Sequence, residues 1–213
     1  REAQIIWKLK YPYFPQIFDI VETEQADYII MEFLEGETAG ERLIRLGSLP
    51  AGEVVRMAMD LCLMLSYLHR YTPSLVYCDM KPDNIMIQSA GNLRLIDFGA
   101  VMESGQESKE SSLRLGTRGY AAPEQFDMNK CVDARTDIYA LGVTMYQLLT
   151  GKGPELVEKK RGKCSKFFDC RFRLSQFRKL ERIICKCVRE DPGERYQDCD
   201  ALREDLSRAF CGK

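Results

Sequence analysis

The residues that could do chemistry lie close together in one short polar stretch. The stretch Tyr77–Ile87 places Asp79, Lys81 and Asn84 between two apolar segments with strand character. A carboxylate can accept a proton from a hydroxyl, an ammonium group offers charge to a phosphate, and an amide oxygen can bind Mg²⁺. Two flanking strands would hold such a loop rigidly. The stretch predicts phosphoryl transfer, although its spacing alone also fits a solvated polar turn.

A second acidic residue and a third polar segment follow. Asp97 ends the alternating segment Leu93–Ile96 and precedes Phe98 and Gly99. A carboxylate at a strand end, followed by a hinge glycine, is suited to hold a metal on a loop that can move. Further along, the segment Gly116–Glu124 ends in the tripeptide Ala-Pro-Glu.

Together these segments resemble the catalytic loop, the Asp-Phe-Gly metal loop and the Ala-Pro-Glu segment of the eukaryotic-type (Hanks-type) serine/threonine protein kinase family. We expect a bacterial member. The resemblance implies an α+β, protein kinase-like fold with a mostly helical large lobe over residues 36–213. Residues 1–35 would be a remnant of the small β lobe. The implied reaction is transfer of the ATP γ-phosphoryl group to a Ser or Thr hydroxyl of a protein.

The resemblance assigns a role to each polar residue of the site. Asp79 would orient the substrate hydroxyl and accept its proton, and Lys81 would neutralise the transferring phosphoryl group. Asn84 and Asp97 would hold Mg²⁺. In the family, a Thr at the position of Thr117 bonds the catalytic Asp and Lys and favours Ser/Thr substrates.

The resemblance also implies an adenine site at the linker between the lobes. Met31 would line the back of the pocket, and Met86 would form the floor beneath the adenine. The Glu32 carbonyl and the Leu34 amide would contact the adenine edge. Without the downstream motifs, this segment would be interpreted as an edge strand that ends at Gly36.

The catalytic loop departs from the family pattern at two positions. It begins Tyr77-Cys78-Asp79 where the family usually has His-Arg-Asp. Tyr77 retains an aromatic ring that can stack on Phe98, whereas Cys78 removes an Arg that usually pairs with a loop phosphate. We therefore expect phosphorylation of the polar loop Ala100–Leu115 to matter less here.

Two elements of the family's small lobe do not occur in the chain. It contains no G-x-G-x-x-G sequence and no strand resembling V-A-I-K, so Glu2 would have no Lys to pair with. We interpret the chain as N-terminally truncated; the alternative is a genuinely reduced protein that does not catalyse. In this form, we expect weak Mg·ATP binding and little or no kinase activity.

Composition is that of an ordinary soluble globular protein. The 213 residues are 45% hydrophobic and 30% charged, and the net charge of −1 indicates neither a nucleic-acid nor a membrane surface. The nine Cys form no C-x-x-C pair, and His69 is the only His. We expect reduced thiols, a cytoplasmic location and no membrane-spanning segment.

Periodicity predicts the elements that must position these residues. Strands are expected at Gln16–Thr23 and Tyr28–Leu34, and helices at Thr38–Leu46, Ala51–His69, Thr136–Thr150, Ser175–Val188 and Asp200–Phe210. By resemblance, Asp137 would fix the backbone of the catalytic loop, and Glu124 would form a buried ion pair with Arg195. We interpret His69 as a partner for the C-terminal end of its helix rather than a catalyst.

Two other classes of protein compete with this interpretation. A pseudokinase, acting as a binding or scaffold module, would be expected to have lost Asp79, Asn84 or Asp97, and all three are present. A small-molecule kinase of the aminoglycoside phosphotransferase type shares the Asp-to-Asn loop. That class lacks a Lys two residues after the Asp and lacks the Ala-Pro-Glu segment. Lys81 and the segment ending at Glu124 therefore favour a protein substrate.

Overall fold

The computed structural model describes residues 7, 9, 11–23, 25, 27–105, 116–127, 129–155, 157 and 175–210. Glu2 lies outside these residues, as does the part of the polar loop from 106 to 115.

An antiparallel hairpin lies within residues 1–35, the segment that was predicted to be a remnant of a small β lobe. Strand β1, Ile17–Glu22, pairs with β2, Asp27–Met31, with a bulge between Ile17 and Asp19. The second strand ends at Met31 and not at Leu34 as predicted. The amide of Glu32 still donates to the carbonyl of Gln16, at 2.7 Å. Pairing stops there because Pro15, the next position on the partner strand, has no N–H to donate.

Helices make up most of the large lobe. Those of the described residues are α1, α2, α3, α4 and α5, at Ala39–Leu46, Ala51–His69, Ala134–Thr150, Ser175–Cys187 and Cys199–Phe210. Helix α3 begins two residues earlier than predicted because the carboxylate of Asp133 caps it, accepting a hydrogen bond from the Arg135 amide at 2.8 Å. It ends, as predicted, at Gly151, which has a φ of 68°.

The main hydrophobic core lies between these helices. Helix α2 packs against α3 and α5, and α3 also packs against α4. The buried apolar residues of α2 include Val54, Val55, Met57, Ala58, Leu61, Cys62, Leu65 and Leu68. Leu180, Ile183, Ile184 and Cys187 of α4 are also buried, as are Leu202 and Leu206 of α5. The 3.6-residue period therefore marks these core faces, although Phe210 at the end of α5 is only partly buried.

Short strands hold the polar loops against this helical core. Strands β3 (Glu37–Thr38), β5 (Ile85–Ile87) and β6 (Leu93–Leu95) form an antiparallel sheet in the order β3-β5-β6. Strand β4, Leu75–Val76, pairs with β7, Met102–Glu103. Strands β3 and β7 were not predicted, since each has only two residues and neither is a run of apolar residues.

The chain linking the hairpin to α1 passes very close to β5. Gly36 has a φ of 148°, and a Cβ atom at this position would lie 2.2 Å from the carbonyl oxygen of Ile87. Only glycine fits so close an approach. This contact and the β3–β5 pairing place the linker beside Met86.

Two further findings concern the described residues as a group. None of their helices is both long and apolar enough to cross a membrane. The six cysteines among them, Cys62, Cys78, Cys131, Cys185, Cys187 and Cys199, are free thiols.

Candidate active site

The carboxylate of Asp79 lies at the centre of a hydrogen-bonded cluster. Its Oδ1 accepts hydrogen bonds from the Thr117 hydroxyl and amide, at 2.7 and 2.8 Å. Its Oδ2 accepts from the Lys81 ammonium at 2.7 Å and from the Asn84 amide nitrogen at 3.0 Å. The Lys81 ammonium also donates to the Thr117 hydroxyl, at 2.7 Å. Lys81, Asn84 and Thr117, which the sequence singled out, therefore all contact Asp79.

These donors determine the charge state of Asp79. Burial acts to raise the pKa of its carboxyl group, but the hydrogen bonds from Lys81 and Thr117 outweigh burial and lower that pKa. Asp79 is therefore ionised at neutral pH, as a group must be to accept a proton.

Asp97 lies beside this cluster but makes no direct hydrogen bond to it. The amide of Ile96 donates to the Asn84 carbonyl at 3.0 Å, which holds the start of the Asp-Phe-Gly loop against the catalytic loop. Asp97 has a φ of 63°, its side chain is exposed, and its Oδ1 accepts a hydrogen bond from the Gly99 amide at 3.1 Å. A left-handed backbone at a residue other than Gly is uncommon and is often found at functional sites.

Asp137 fixes the backbone of the catalytic loop, as predicted. It is fully buried in the first turn of α3 and accepts hydrogen bonds from the amides of Tyr77 and Cys78, both at 2.8 Å. His69, at the end of α2, lies with its Nε2 2.8 Å from Asp137 Oδ2. His69 therefore contributes to the site indirectly, because it contacts Asp137, which binds the backbone of the catalytic loop. The sequence indicated a helix-end partner but not this contact.

Two further contacts to the loop backbone were missed by sequence reasoning. The amide nitrogen of Gln125 donates to the Cys78 carbonyl at 2.9 Å, and the Thr144 hydroxyl donates to the Met80 carbonyl at 3.3 Å. A Cβ atom at Gly116 would lie 2.7 Å from the Gln125 amide nitrogen and 2.9 Å from the Cys78 carbonyl. No sequence period marks such contacts, because each joins one side chain to one distant carbonyl.

Tyr77 joins the catalytic loop to the Asp-Phe-Gly loop. Its hydroxyl donates to the Ile96 carbonyl, and its ring meets Phe98 with centroids 5.6 Å apart and planes at 87°. The predicted contact with Phe98 is therefore present, but it is edge-to-face and not stacked. Edge-to-face packing is favourable because the positive ring edge meets the negative ring face.

The predicted ion pair between Glu124 and Arg195 is also present. The Arg195 guanidinium donates to Glu124 Oε1 at 2.6 Å and to Oε2 at 2.9 Å, and both residues are buried. The same guanidinium donates to the carbonyls of Arg135, Arg189 and Glu190. The Thr136 hydroxyl donates to Glu124 Oε1 at 2.9 Å. This network connects the segment carrying Thr117 to the C-terminal helices.

Comparison with known proteins identifies the family. The sequence model of the protein kinase domain matches residues 1–206. The chain belongs to the protein kinase family. It is 31% identical over 217 residues to the serine/threonine-protein kinase PrkC of Bacillus subtilis, covering 99% of this chain and 33% of the relative. It is 28% identical over 226 residues to the serine/threonine-protein kinase PknB of Mycolicibacterium smegmatis, covering 100% of this chain and 36% of the relative.

These matches confirm a bacterial Hanks-type serine/threonine kinase domain with the α+β kinase fold. The chain spans about a third of the length of the curated relatives it matches.

The linker region that was predicted to contact adenine is more exposed than the cluster around Asp79. Met31 at the end of β2 is 45% exposed, and Phe33 in the linker is 87% exposed. The Glu32 carboxylate accepts hydrogen bonds from the Gln16 amide and from Arg94, so this side chain stabilises the start of the linker. Met86 lies on β5 opposite both Thr38 and Arg94. Contact of adenine with Met31, Glu32, Leu34 and Met86 stays a prediction.

Proposed function

We propose that this kinase domain transfers the γ-phosphoryl group of ATP to a Ser or Thr hydroxyl of a protein. The observation that carries the proposal is the Asp79 carboxylate, ionised and held by donors from Lys81, Asn84 and Thr117. In this arrangement Asp79 orients the acceptor hydroxyl and takes its proton as the O–P bond forms. Proteins accelerate this reaction mainly by positioning groups and stabilising charge, and this cluster supplies both.

Thr117 and Lys81 complete the part of the site that would receive the acceptor hydroxyl. The ammonium of Lys81 bridges Asp79 and Thr117 and neutralises negative charge on the transferring group. Thr117 holds Asp79 in place through both its hydroxyl and its amide. The Lys two residues after the Asp and the Ala-Pro-Glu segment at Glu124 support a protein acceptor.

The residues at Asn84 and Asp97 fit a divalent cation. The Asn84 amide nitrogen faces Asp79, so its amide oxygen points the other way, while Asp97 presents an exposed carboxylate. Oxygen donors of these two types are the ligands that Mg²⁺ prefers. When bound, Mg²⁺ would neutralise charge on the ATP phosphates. On the adenine side, the linker at Glu32 and Leu34, with Met31 and Met86, would contact the base.

The test is the variant Asp79→Asn, made in the full-length gene product and assayed with radiolabelled ATP on a Ser/Thr protein substrate. The amide cannot accept the hydroxyl proton, so phosphorylation should fall by about 10²–10⁴-fold. Asp60→Asn is the matched control, since Asp60 is exposed on α2. Activity of Asp79→Asn within a few-fold of the parent would contradict the assignment. Tight Mg·ATP binding without turnover in the parent would instead indicate a pseudokinase.

A further inference from the structure

Helix α4 presents a row of positive charge on the side opposite its buried face. Arg178, Arg182 and Lys186 are each four residues apart and all exposed. Neither arginine forms an ion pair or hydrogen bond with any described residue. Like charges four residues apart on one helix repel each other and destabilise it. An anionic partner would offset this repulsion, so the row favours binding of an anion.

The row borders a shallow, open groove. The groove has a volume of about 580 Å³ and lies between α4 and the turn at Pro192–Glu194. Arg189 and Glu194 line its far end, where their side chains approach to 3.8 Å. Within the groove, four cationic side chains face two carboxylates, those of Glu181 and Glu194. Its lining therefore carries a net positive charge.

One of the cations is held in position by an aromatic ring. The Lys186 ammonium lies 3.9 Å from the centroid of the Tyr196 ring, and Tyr196 is itself buried. A cation–π contact restricts the ammonium group without neutralising its charge. Less conformational entropy is then lost when Lys186 binds an anion.

The spacing of the row indicates what kind of partner fits. Residues four apart on a helix are separated by about 6 Å along its axis. Alternate residues of an extended chain are separated by about 6.6 Å and point to the same side. We propose that this groove binds an extended protein segment with acidic residues at alternating positions, which pair in turn with Arg178, Arg182 and Lys186. Guanidinium groups suit carboxylates because they can donate two parallel hydrogen bonds.

Fluorescence anisotropy at low ionic strength tests this proposal. The probes are two fluorescein-labelled peptides of identical composition, one containing Glu-Ala-Glu-Ala-Glu and the other Glu-Glu-Glu-Ala-Ala. The parent protein should bind the alternating peptide more tightly than the block peptide. Equal affinities, or no binding of the alternating peptide, would overturn the proposal.

Charge reversal on the helix locates the binding surface. Arg182→Glu should weaken binding of the alternating peptide by about tenfold or more, as loss of a charge-assisted contact predicts. Arg178→Glu should act in the same direction. Lys179→Glu is the matched control because Lys179 is exposed on the same helix but does not line the groove. Binding should change by no more than about twofold in this control. An equal loss in Lys179→Glu would mean that a diffuse positive field, and not the groove, attracts the peptide.

Discussion

At the residue scale, Asp79 is held by two side chains that follow it in its own loop and by one residue from a segment further along the chain. Lys81 and Asn84 come from the catalytic loop, whereas Thr117 comes from the segment that leads to Glu124. Thr117 contacts both Asp79 and Lys81 through one hydroxyl, as the family resemblance predicted. The position of the base therefore depends on a residue that need not touch the reacting atoms.

Replacing Thr117 tests this dependence. Thr117→Ala removes the hydroxyl but keeps the amide hydrogen bond to Asp79. Hydrogen bonds to charged groups contribute about 1.5–3 kcal/mol, so kcat should fall by about 10–100-fold. Thr117→Ser retains the hydroxyl and should recover most of the activity. Steady-state kinetics on a Ser/Thr substrate provides the measurement, and equal kcat values for the Ala and Ser variants would refute the role of the hydroxyl.

At the element scale, the Glu124–Arg195 ion pair joins segments that no other described ion pair connects. Arg195→Ala would leave the buried Glu124 carboxylate without its main partner and should destabilise the protein by about 3–5 kcal/mol. Arg208→Ala is a control because its pair with Glu204, four residues away on α5, is exposed. That change should cost less than about 0.5 kcal/mol. Urea denaturation measures both, and similar midpoints for the two variants would contradict the prediction.

Two glycines within helices should respond in opposite directions to the same substitution. In α3, a Cβ atom at Gly142 would lie 2.5 Å from Cys187 Cβ and 2.9 Å from Val188 Cγ1. Gly142→Ala should therefore force α3 and α4 apart and destabilise the protein by about 1–3 kcal/mol. In α2, a Cβ atom at Gly52 meets only Arg56, at 3.8 Å.

Gly52→Ala should stabilise the protein by about 0.5–1 kcal/mol, because Ala loses less conformational freedom in a helix. The two melting temperatures, measured side by side, test whether packing determines the sign. A stabilised Gly142→Ala protein would show that α3 and α4 can separate at little cost.

Elements with a long hydrophobic period were predictable, and contacts made by single residues were not. The bounds of α2 and the buried faces of α4 and α5 followed from periodicity. At the site, the contact of Thr117 with Asp79 and the Glu124–Arg195 pair followed from the family resemblance. The contacts of His69 with Asp137 and of Gln125 with Cys78 could not be predicted, because they produce no repeating pattern in the sequence. Each depends on how elements that are distant in the sequence pack together.

At the scale of the whole molecule, His69 makes stability depend on pH. Burial acts to lower the pKa of its imidazole, but hydrogen bonds with Asp137 and Cys199 outweigh burial and raise the pKa to about 10. The usual pKa of His is 6.5, so the charged imidazole stabilises the folded state fully below about pH 6.5. This contribution should disappear progressively as the pH rises towards about 10.

His69→Gln removes the titrating group and should abolish this part of the pH dependence. The difference in unfolding free energy between the parent and His69→Gln should shrink as the pH rises from about 6.5 to about 10. Urea denaturation across this range measures it. Because His69 is the only His of the chain, no second imidazole can produce the same signal. A difference that stays constant with pH would exclude a charged His69.

The anchoring of the catalytic loop by α3 has a consequence for the order of events during biosynthesis. Asp137 lies 60 residues after Tyr77, and Arg195 lies 71 residues after its ion-pair partner, Glu124. A ribosome that adds about 5–20 residues per second needs roughly 5–20 s to proceed from Asn84 to Arg195. During that interval the nascent chain carries Asp79, Lys81 and Asn84 without the complete set of buried groups that hold them in position. Competence for phosphoryl transfer should therefore appear abruptly once Arg195 has been synthesised, so that nascent chains that end before Arg195 should not modify their neighbours on a polysome.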